Sequence, residues 1–270
     1  MDMKGRVLVV AGSDSGGGAG IQADIKTITA LNGFAMTAIT ALTAQNSLGV
    51  KGVHKPPPAF VTDQIRVTLE DLGADAVKTG MMADAPIIEA AAEALEEHAG
   101  GVPWIVDPVM FSSARDLLLD EDAAEALKAR LVSRAALVTP NMAEAEALIG
   151  RPVATVADME AAGQDLLDLG AGAALVTGGH LGGDTVTDVL VTADGAERFE
   201  GPRIDTPHTH GTGCTLASAV ATGLAQGMEL RDCVIRARAY VREAIRTAPG
   251  YGAGHGPLNH AHTVRPFGDG

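Results

Sequence analysis

The chain has 270 residues, 46% of them hydrophobic but only 3% aromatic, so a sizeable core has to be built from aliphatic side chains. Its 20 Lys and Arg against 34 Asp and Glu leave a net charge of −14, which speaks against nucleic acid or an anionic membrane as partner, since both demand clustered positive charge. The two cysteines, Cys214 and Cys233, form no CxxC pair, no apolar run reaches the ~18 residues of a membrane span, and the apolar run near the N-terminus is too short for a signal-peptide core. This balance suits a cytoplasmic protein.

The stretch 6–12 (RVLVVAG) is a continuous β-branched run bounded by Gly, as in a buried parallel strand. A helix follows over 19–33, where Ile21, Ile25, Ile28 and Leu31 share one face and Gly33 offers a C-terminal cap. Strand composition returns at 34–46. Residues 54–60 (HKPPPAF) form a loop, and 58–73 is helical. The alternation continues with a strand at 75–80, a helix at 84–100 with Asp84 as N-cap, and a strand at 103–109. Next come a helix at 120–134, a strand at 135–141, helices at 142–150 and 156–170, and a strand at 173–179. Residues 185–202 read as a hairpin about Asp194-Gly195. Helices at 213–227 and 231–248 precede an irregular, Gly-rich tail. Such alternation predicts one α/β domain over 1–270, a mostly parallel sheet with helices on both faces. Ligands in that architecture sit beyond the C-terminal ends of the strands.

The residues with chemistry lie in those strand-end loops. AGSDSGGGAG (11–20) is either a tight turn or a cradle of backbone N–H groups at a helix start. It matches neither GxGxxG nor GxxxxGK[ST]. Asp107, in VDPV, is an N-cap or a metal-side carboxylate, and Mg2+ prefers one or two carboxylates with several waters. Asn141 and Glu144 have capping-box spacing, which coexists with a role toward Mg2+-bound phosphate. LVTGGH (175–180) ends another strand in paired glycines. Gly211-Thr212-Gly213 runs directly into a helix, where free N–H groups and the positive dipole end favour an anion. Cys214 then falls at a helix N-terminus, a place that lowers a thiol pKa. Acidic metal-side groups, an anion cradle and a neighbouring proton acceptor together suggest phosphoryl transfer without a P-loop.

AGSDSGGGAGIQADIKT, TALTAQN, VKTGMM, VDPVM, TPNMAEAE, TGGH and THGTGCTLASA occur in this order over residues 6–247. In them the chain resembles the hydroxymethylpyrimidine/phosphomethylpyrimidine kinases of thiamin synthesis, within the ribokinase-like superfamily. The resemblance implies a three-layer α/β/α domain, commonly a homodimer, that uses ATP and Mg2+. The substrate would be 4-amino-5-hydroxymethyl-2-methylpyrimidine and then its monophosphate. It further implies that Gln45 hydrogen-bonds the aminopyrimidine edge and that Gly12, Ala19, Asp24, Met81 and Val109 line that pocket. Gly211, Thr212 and Gly213 would form the anion hole. Cys214 stands where many ribokinase-like enzymes carry an Asp base. Asp107 and Glu144 would support Mg2+, and Asn141, Thr177 and Gly179 would border the nucleotide. Two departures stand out. Thr177 occupies a place where many relatives carry Lys, and residues 111–115 differ from the usual Ala-Lys-Ser-Gly-like segment. Arg115 there is a candidate for the missing cation, and 110–117 for a lid.

Other readings stay open. A pyridoxal kinase shares the fold and some of them share the GTGC motif, so Gln45 is the discriminating residue. A non-catalytic binder with the same pocket, and a thiol hydrolase or redox enzyme, are further classes. The last needs an activating His or a second Cys. Cys233 falls mid-helix and reads as core. His210 reads as a loop histidine bonding backbone, and His255, His260 and His262 as surface residues.

Overall fold

Short β-branched runs separated by amphipathic helices assemble into a three-layer α/β/α arrangement in the computed structural model, which describes residues 3–111, 119 and 121–264. The strands are β1 (Arg6–Asp14), β2 (Phe34–Asn46), β3 (Gly49–His54), β4 (Ala76–Thr79), β5 (Trp104–Val106), β6 (Leu137–Val138), β7 (Ala174–Val176), β8 (Thr185–Thr192) and β9 (Gly195–Pro202). They form one sheet in the order β3-β2-β1-β4-β5-β6-β7-β8-β9. Pairing is parallel from β2 through β7, with β3, β8 and β9 added antiparallel at the two edges.

The helices are α1 (Gly20–Ala30), α2 (Pro58–Leu72), α3 (Ala85–Ala99), α4 (Glu121–Arg130), α5 (Met142–Ile149), α6 (Val156–Asp168), α7 (Thr212–Ala225) and α8 (Leu230–Arg246). Side chains alternate across each strand, and that alternation splits the core in two. Leu8, Val10, Val77, Trp104 and Val106 pack with Ile65, Ile88, Leu95 and Leu127 of the α2–α4 side. Val7, Val9, Ala76 and Ile105 face α1, α7 and α8 through Ile28, Leu216, Val220 and Val234. The chain runs from β1 to its neighbour β2 on one side, then crosses back to β4 on the other. That reversal opens a crevice at the C-terminal ends of β1 and β4.

Several expectations need correction. Strand β3 lies almost wholly in a stretch, 47–53, for which the sequence suggests no element, and only His54 falls in the expected loop; GVKGVH lacks the apolar alternation that marks a strand, yet it pairs with β2 from Asn46–Gly49 to Leu42–His54. The strands expected at 103–109, 135–141 and 173–179 ladder over only two or three residues each; beyond them the chain leaves the sheet to build loops. Gly33 is not the left-handed residue that ends α1. Asn32 takes that conformation at φ 67, while Gly33 N–H closes a six-residue turn onto Ile28 at 2.8 Å and Asn32 N–H bonds Thr29 at 3.0 Å, a Schellman arrangement. The tail is more ordered than its composition suggests. It ends in a 3-10 turn (His260–Thr263) in which His260 is buried, its Nδ1 lying 3.2 Å from the Tyr240 hydroxyl and 3.4 Å from Thr27 Oγ1. His262 is half-buried against the Tyr240 ring, and only His255 is exposed. Residues 112–117 of the expected lid, Arg115 among them, lie outside the described residues.

One contact sets the height of α6 over the sheet. A β-carbon on Gly163 would lie 2.3 Å from Val191 Cγ2 on β8, and both residues are buried. A free Gly→Ala change in a helix gains up to about 1 kcal/mol, but overpacking of a filled core costs about 1–3 kcal/mol. Gly163→Ala is therefore expected to lower the unfolding free energy by about 1–2 kcal/mol, read from urea denaturation. A gain in stability would show that α6 has room to spare.

Candidate active site

The crevice is lined by three loops that touch one another through backbone. After β1, the Asp14 carboxylate organises the glycine-rich turn: Oδ1 accepts from Gly16 N–H at 2.7 Å, and Oδ2 accepts from Gly18 and Ala19 N–H at 3.0 and 2.9 Å. That turn abuts the start of α7. Gly211, its N-cap, has φ 88, and a β-carbon there would lie 1.9 Å from the Gly18 carbonyl. Gly20, at φ 55, would meet the Gly12 carbonyl at 2.3 Å. Only glycine satisfies both the positive φ and the contact at these positions. Ala19 sits beside Gly211, and Gly12 bonds the Met81 carbonyl at 3.1 Å while lying against its sulfur. Gln45, half-buried at the end of β2, reaches within 3.4 Å of His210 Nε2.

The first helical bond of α7 runs from Thr215 N–H to the Gly211 carbonyl at 2.9 Å. The N–H groups of Gly213 and Cys214 precede it, where a helix leaves its donors unused. Thr212 N–H is already directed to the Thr209 carbonyl at 3.3 Å, so this member of the expected anion hole has its backbone donor engaged. Gly213 lies over the Asp107 carboxylate, about where a side chain would meet both oxygens at 3.9 and 4.0 Å.

Beneath this turn sits a residue that motif reading passed over. Lys78, on β4, has no exposed surface, and its Nζ lies 3.1 Å from Asp24 Oδ1 and 3.6 Å from Asp107 Oδ2. Asp24 Oδ1 also accepts from Ser218 Oγ of α7 at 2.6 Å. Burial opposes the Lys78 charge, but Asp24, Cys214 and Asp107 outweigh it and hold the ammonium protonated. Asp24 is itself fully buried, and burial pushes its carboxyl up against the pull of Lys78 and Ser218. It therefore sits below the pocket and supports Lys78. The signal was a lone Lys inside the apolar strand stretch AVKT, all four of whose residues are buried.

Cys214 behaves differently from the expectation of a helix-lowered thiol. Burial pushes it up to about 12, Asp107 and Asp24 add to the rise, and Lys78 and the Gly20 N–H oppose them. The thiol in turn holds the Asp107 carboxyl down. His210 also departs from its expected backbone bonding: its Nε2 lies 2.9 Å from Asp14 Oδ2.

Asp107 and Glu144 form the acidic corner. Burial pushes Asp107 up, Lys78 pulls it down, Asp24 adds to the rise, and the Cys214 thiol opposes it. Burial and then the charge of Asp107 push Glu144 up, while the N–H groups of Asn141 and Met110 hold it down. Asn141 and Glu144 close the capping box of α5, with Asn141 N–H to Glu144 Oε2 at 2.9 Å and Glu144 N–H to Asn141 Oδ1 at 3.1 Å. Val109 N–H turns back onto the Asp107 carbonyl at 2.9 Å. Asp107 Oδ2, Thr79 Oγ1 and Thr139 Oγ1 are buried without a hydrogen-bond partner among the described residues. A surplus of lone pairs and negative charge fits a hard divalent cation such as Mg2+. Among the described residues no group of three His, Cys, Asp or Glu side chains is placed to hold a metal ion, so the protein would contribute one or two carboxylates.

Thr177 lies beside Asn141 in an isolated bridge, its N–H bonded to the Pro140 carbonyl at 2.9 Å. Beyond it the glycine loop is clamped by residues not foreseen. Arg203 donates to the carbonyls of Gly179 and Gly183 at 2.8 Å each and to that of Leu181. Asp188 accepts from Gly178 N–H at 2.9 Å and from Arg238 at 2.7 Å.

The buried charges make a stability prediction. Lys78→Met strands Asp24 and Asp107, and is expected to cost about 3–5 kcal/mol. Asp24→Leu added to Lys78→Met should recover part of that loss in the same denaturation experiment. Equal stability of the wild type and the Lys78→Met variant would mean that the ammonium does not neutralise these carboxylates.

Known proteins share this arrangement. The family described as Phosphomethylpyrimidine kinase matches residues 14–259. The thiamine biosynthesis bifunctional protein ThiED of Geobacter sulfurreducens is 50% identical over 95% of this chain; the chain spans 52%, about half, of that protein's length. The hydroxymethylpyrimidine/phosphomethylpyrimidine kinase of Bacillus subtilis is 44% identical over 94% of both chains. The ADP complex of Bacillus subtilis pyridoxal kinase is 36% identical, with a TM-score of 0.87 over 96% of this chain and 98% of that one. The three-layer fold expected from the motifs is thus the fold observed. By its match along nearly its whole length, the chain belongs to the phosphomethylpyrimidine kinase family.

Proposed function

We propose that the chain transfers the γ-phosphate of ATP, with Mg2+, to the hydroxyl of 4-amino-5-hydroxymethyl-2-methylpyrimidine and then to the phosphate of that product, as a step in thiamine biosynthesis. The observation that carries this reading is the convergence of Gln45, the glycine-rich turn and the Gly211–Cys214 helix start on one crevice, in a chain 44% identical to a full-length kinase named for both substrates. An amide offers a donor and an acceptor to an aminopyrimidine edge. Gly12, Ala19, Met81 and Val109 wall the ring, and Asp24 acts from below through Lys78. Asn141, Thr177 and Gly179 border the nucleotide; that a nucleotide is used at all is supported by the Bacillus subtilis relative's having been solved as an ADP complex. Asp107 and Glu144 would hold Mg2+, which when bound lends positive charge to phosphoryl oxygens. The N–H groups of Gly213 and Cys214, with the Thr212 hydroxyl, face the developing negative charge.

Cys214 takes the proton of the substrate hydroxyl while its own proton passes to Asp107. Sulfur stays neutral throughout, so the raised thiol pKa is no obstacle. Phosphoryl transfer through a loose transition state asks little activation of the nucleophile. We read the whole chain as one catalytic domain, cytoplasmic with its ATP and metabolite substrates. We also read it as a homodimer: Leu42, Leu48 and Val53 leave apolar surface exposed on β2, on β3 and on the turn between them, which a second copy would cover.

The second reading is a pyridoxal kinase, favoured by the 36% identity to the Bacillus subtilis enzyme. Ratios of kcat/KM for the pyrimidine and for pyridoxal separate the two. Mass spectrometry after incubation with ATP, Mg2+ and the hydroxymethylpyrimidine is expected to find the monophosphate first and the diphosphate later; finding neither overturns the proposal. Cys214→Ala should lower kcat by about 10²–10⁴, with Cys214→Asp retaining more activity. Undiminished turnover in the alanine variant, or a trapped phosphocysteine, would rule out the proton-acceptor role.

A further inference from the structure

The hydrogen bonds around Gln45 contain two conflicts that share one solution. Gln45 Nε2 is placed 3.4 Å from His210 Nε2, and Gln45 Oε1 3.1 Å from Thr43 Oγ1. Asp14 is buried, and although burial pushes its carboxyl up, the His210 bond and the N–H groups of Ala19 and Gly16 hold it below the usual carboxylate range. A carboxylate only accepts, so the proton between it and His210 sits on His210 Nε2, 2.9 Å away. That nitrogen is then a donor, and the amide NH2 of Gln45 opposite it is a donor as well. The single Thr43 hydroxyl proton is likewise claimed twice, by the Ser13 carbonyl at 3.0 Å and by Gln45 Oε1. Turning the amide over removes both conflicts. Its oxygen then faces His210 Nε2–H as a second, longer acceptor that shares the proton with Asp14 Oδ2, and its nitrogen donates to Thr43 Oγ1, which donates onward to Ser13.

We infer that Asp14, His210 and Thr43 lock the direction in which the Gln45 amide faces, and that this lock makes His210 a specificity-determining positioning residue for an aminopyrimidine substrate. The inference rests on the pyrimidine kinase reading above. Both poles of the amide are tethered, yet each keeps one valence for a ligand: a second N–H and a second oxygen lone pair. Beside its hydroxymethyl group, the aminopyrimidine presents an amine and then a ring nitrogen, a donor followed by an acceptor. Pyridoxal presents an aldehyde and then a phenolic hydroxyl, an acceptor followed by a donor. A freely turning amide serves either order; a locked one serves one order and sets like against like for the other. His210 is well suited to act as the fixed end. It is 7% exposed, its N–H is tied to the Gly256 carbonyl at 3.1 Å, and its ring packs against Gly18 so closely that a β-carbon there would lie 2.5 Å from Cδ2.

The test is a ratio, in which losses common to both substrates cancel. kcat/KM and dissociation constants are measured for the hydroxymethylpyrimidine and for pyridoxal with wild type, His210→Leu, His210→Gln and Thr43→Val, after thermal unfolding has established which variants fold. His210→Leu and Thr43→Val each release one pole of the amide. Each should shrink the preference for the pyrimidine by about tenfold or more, the size of one mispaired buried hydrogen bond. His210→Gln, which keeps a donor toward Asp14 and Gln45, should hold the preference near the wild-type value. Thr43→Val leaves His210 in place, so it tests the lock even where His210→Leu does not fold. A wild type that prefers the pyrimidine, with that preference unchanged in every folded releasing variant, overturns the lock alone. A wild type that prefers pyridoxal overturns the functional reading beneath it.

Discussion

A lysine ammonium without exposed surface is tolerated only where anions surround it, because an isolated charge in a protein interior costs several kcal/mol even after relaxation. Lys78 meets that condition through Asp24 and Asp107, and this cluster binds four parts of the molecule together. Lys78 belongs to β4, Asp24 to α1, Asp107 to the end of β5, and Ser218, which bonds Asp24, to α7. The cluster sits on the α1/α7 face because side chains alternate along β4, putting Lys78 on the same side as Ala76. Neutralised from below, Asp107 can stand at the floor of the crevice with one oxygen unbonded.

Above that floor, backbone meets backbone. Gly211 is pressed onto the Gly18 carbonyl, Gly18 onto the His210 ring and Gly20 onto the Gly12 carbonyl, so none of the three tolerates a side chain. This pins the start of α7, and with it Cys214, to the turn that follows β1. The tail adds a further tie: the Gly256 carbonyl holds His210, and His255 N–H bonds the Ser47 carbonyl at 2.9 Å, at the tip between β2 and β3. Residues 46 to 256 are thereby drawn around one small volume.

What the sequence revealed follows from the range of the interactions involved. The order of strands and helices was legible because it depends on local apolar periodicity, and the capping box of Asn141 and Glu144 because it spans three residues. Strand β3 was not, since its pairing with β2 supplies what its composition lacks. His210 and Asp14 are 196 residues apart, and no spacing rule brings them together. Lys78 lies between these cases. A charged residue inside a short apolar strand was visible, but only burial by α1 and α7 turns it into part of the site.

Cys214 shows how such long-range terms overrule a local rule. A helix N-terminus is worth roughly 0.3–1 kcal/mol to a nearby anion, less than one pKa unit. Burial beside two carboxylates acts in the opposite sense and carries the thiol to about 12 despite Lys78. A local motif therefore predicts a thiolate, whereas the assembled site holds a neutral thiol beside the charge of Asp107. That arrangement bears on the proposed reaction. A neutral thiol accepts a second proton only as its first departs, so the proposed acceptor is Cys214 together with Asp107. Its basicity would be set by the charges around Lys78 as much as by the helix that Cys214 begins.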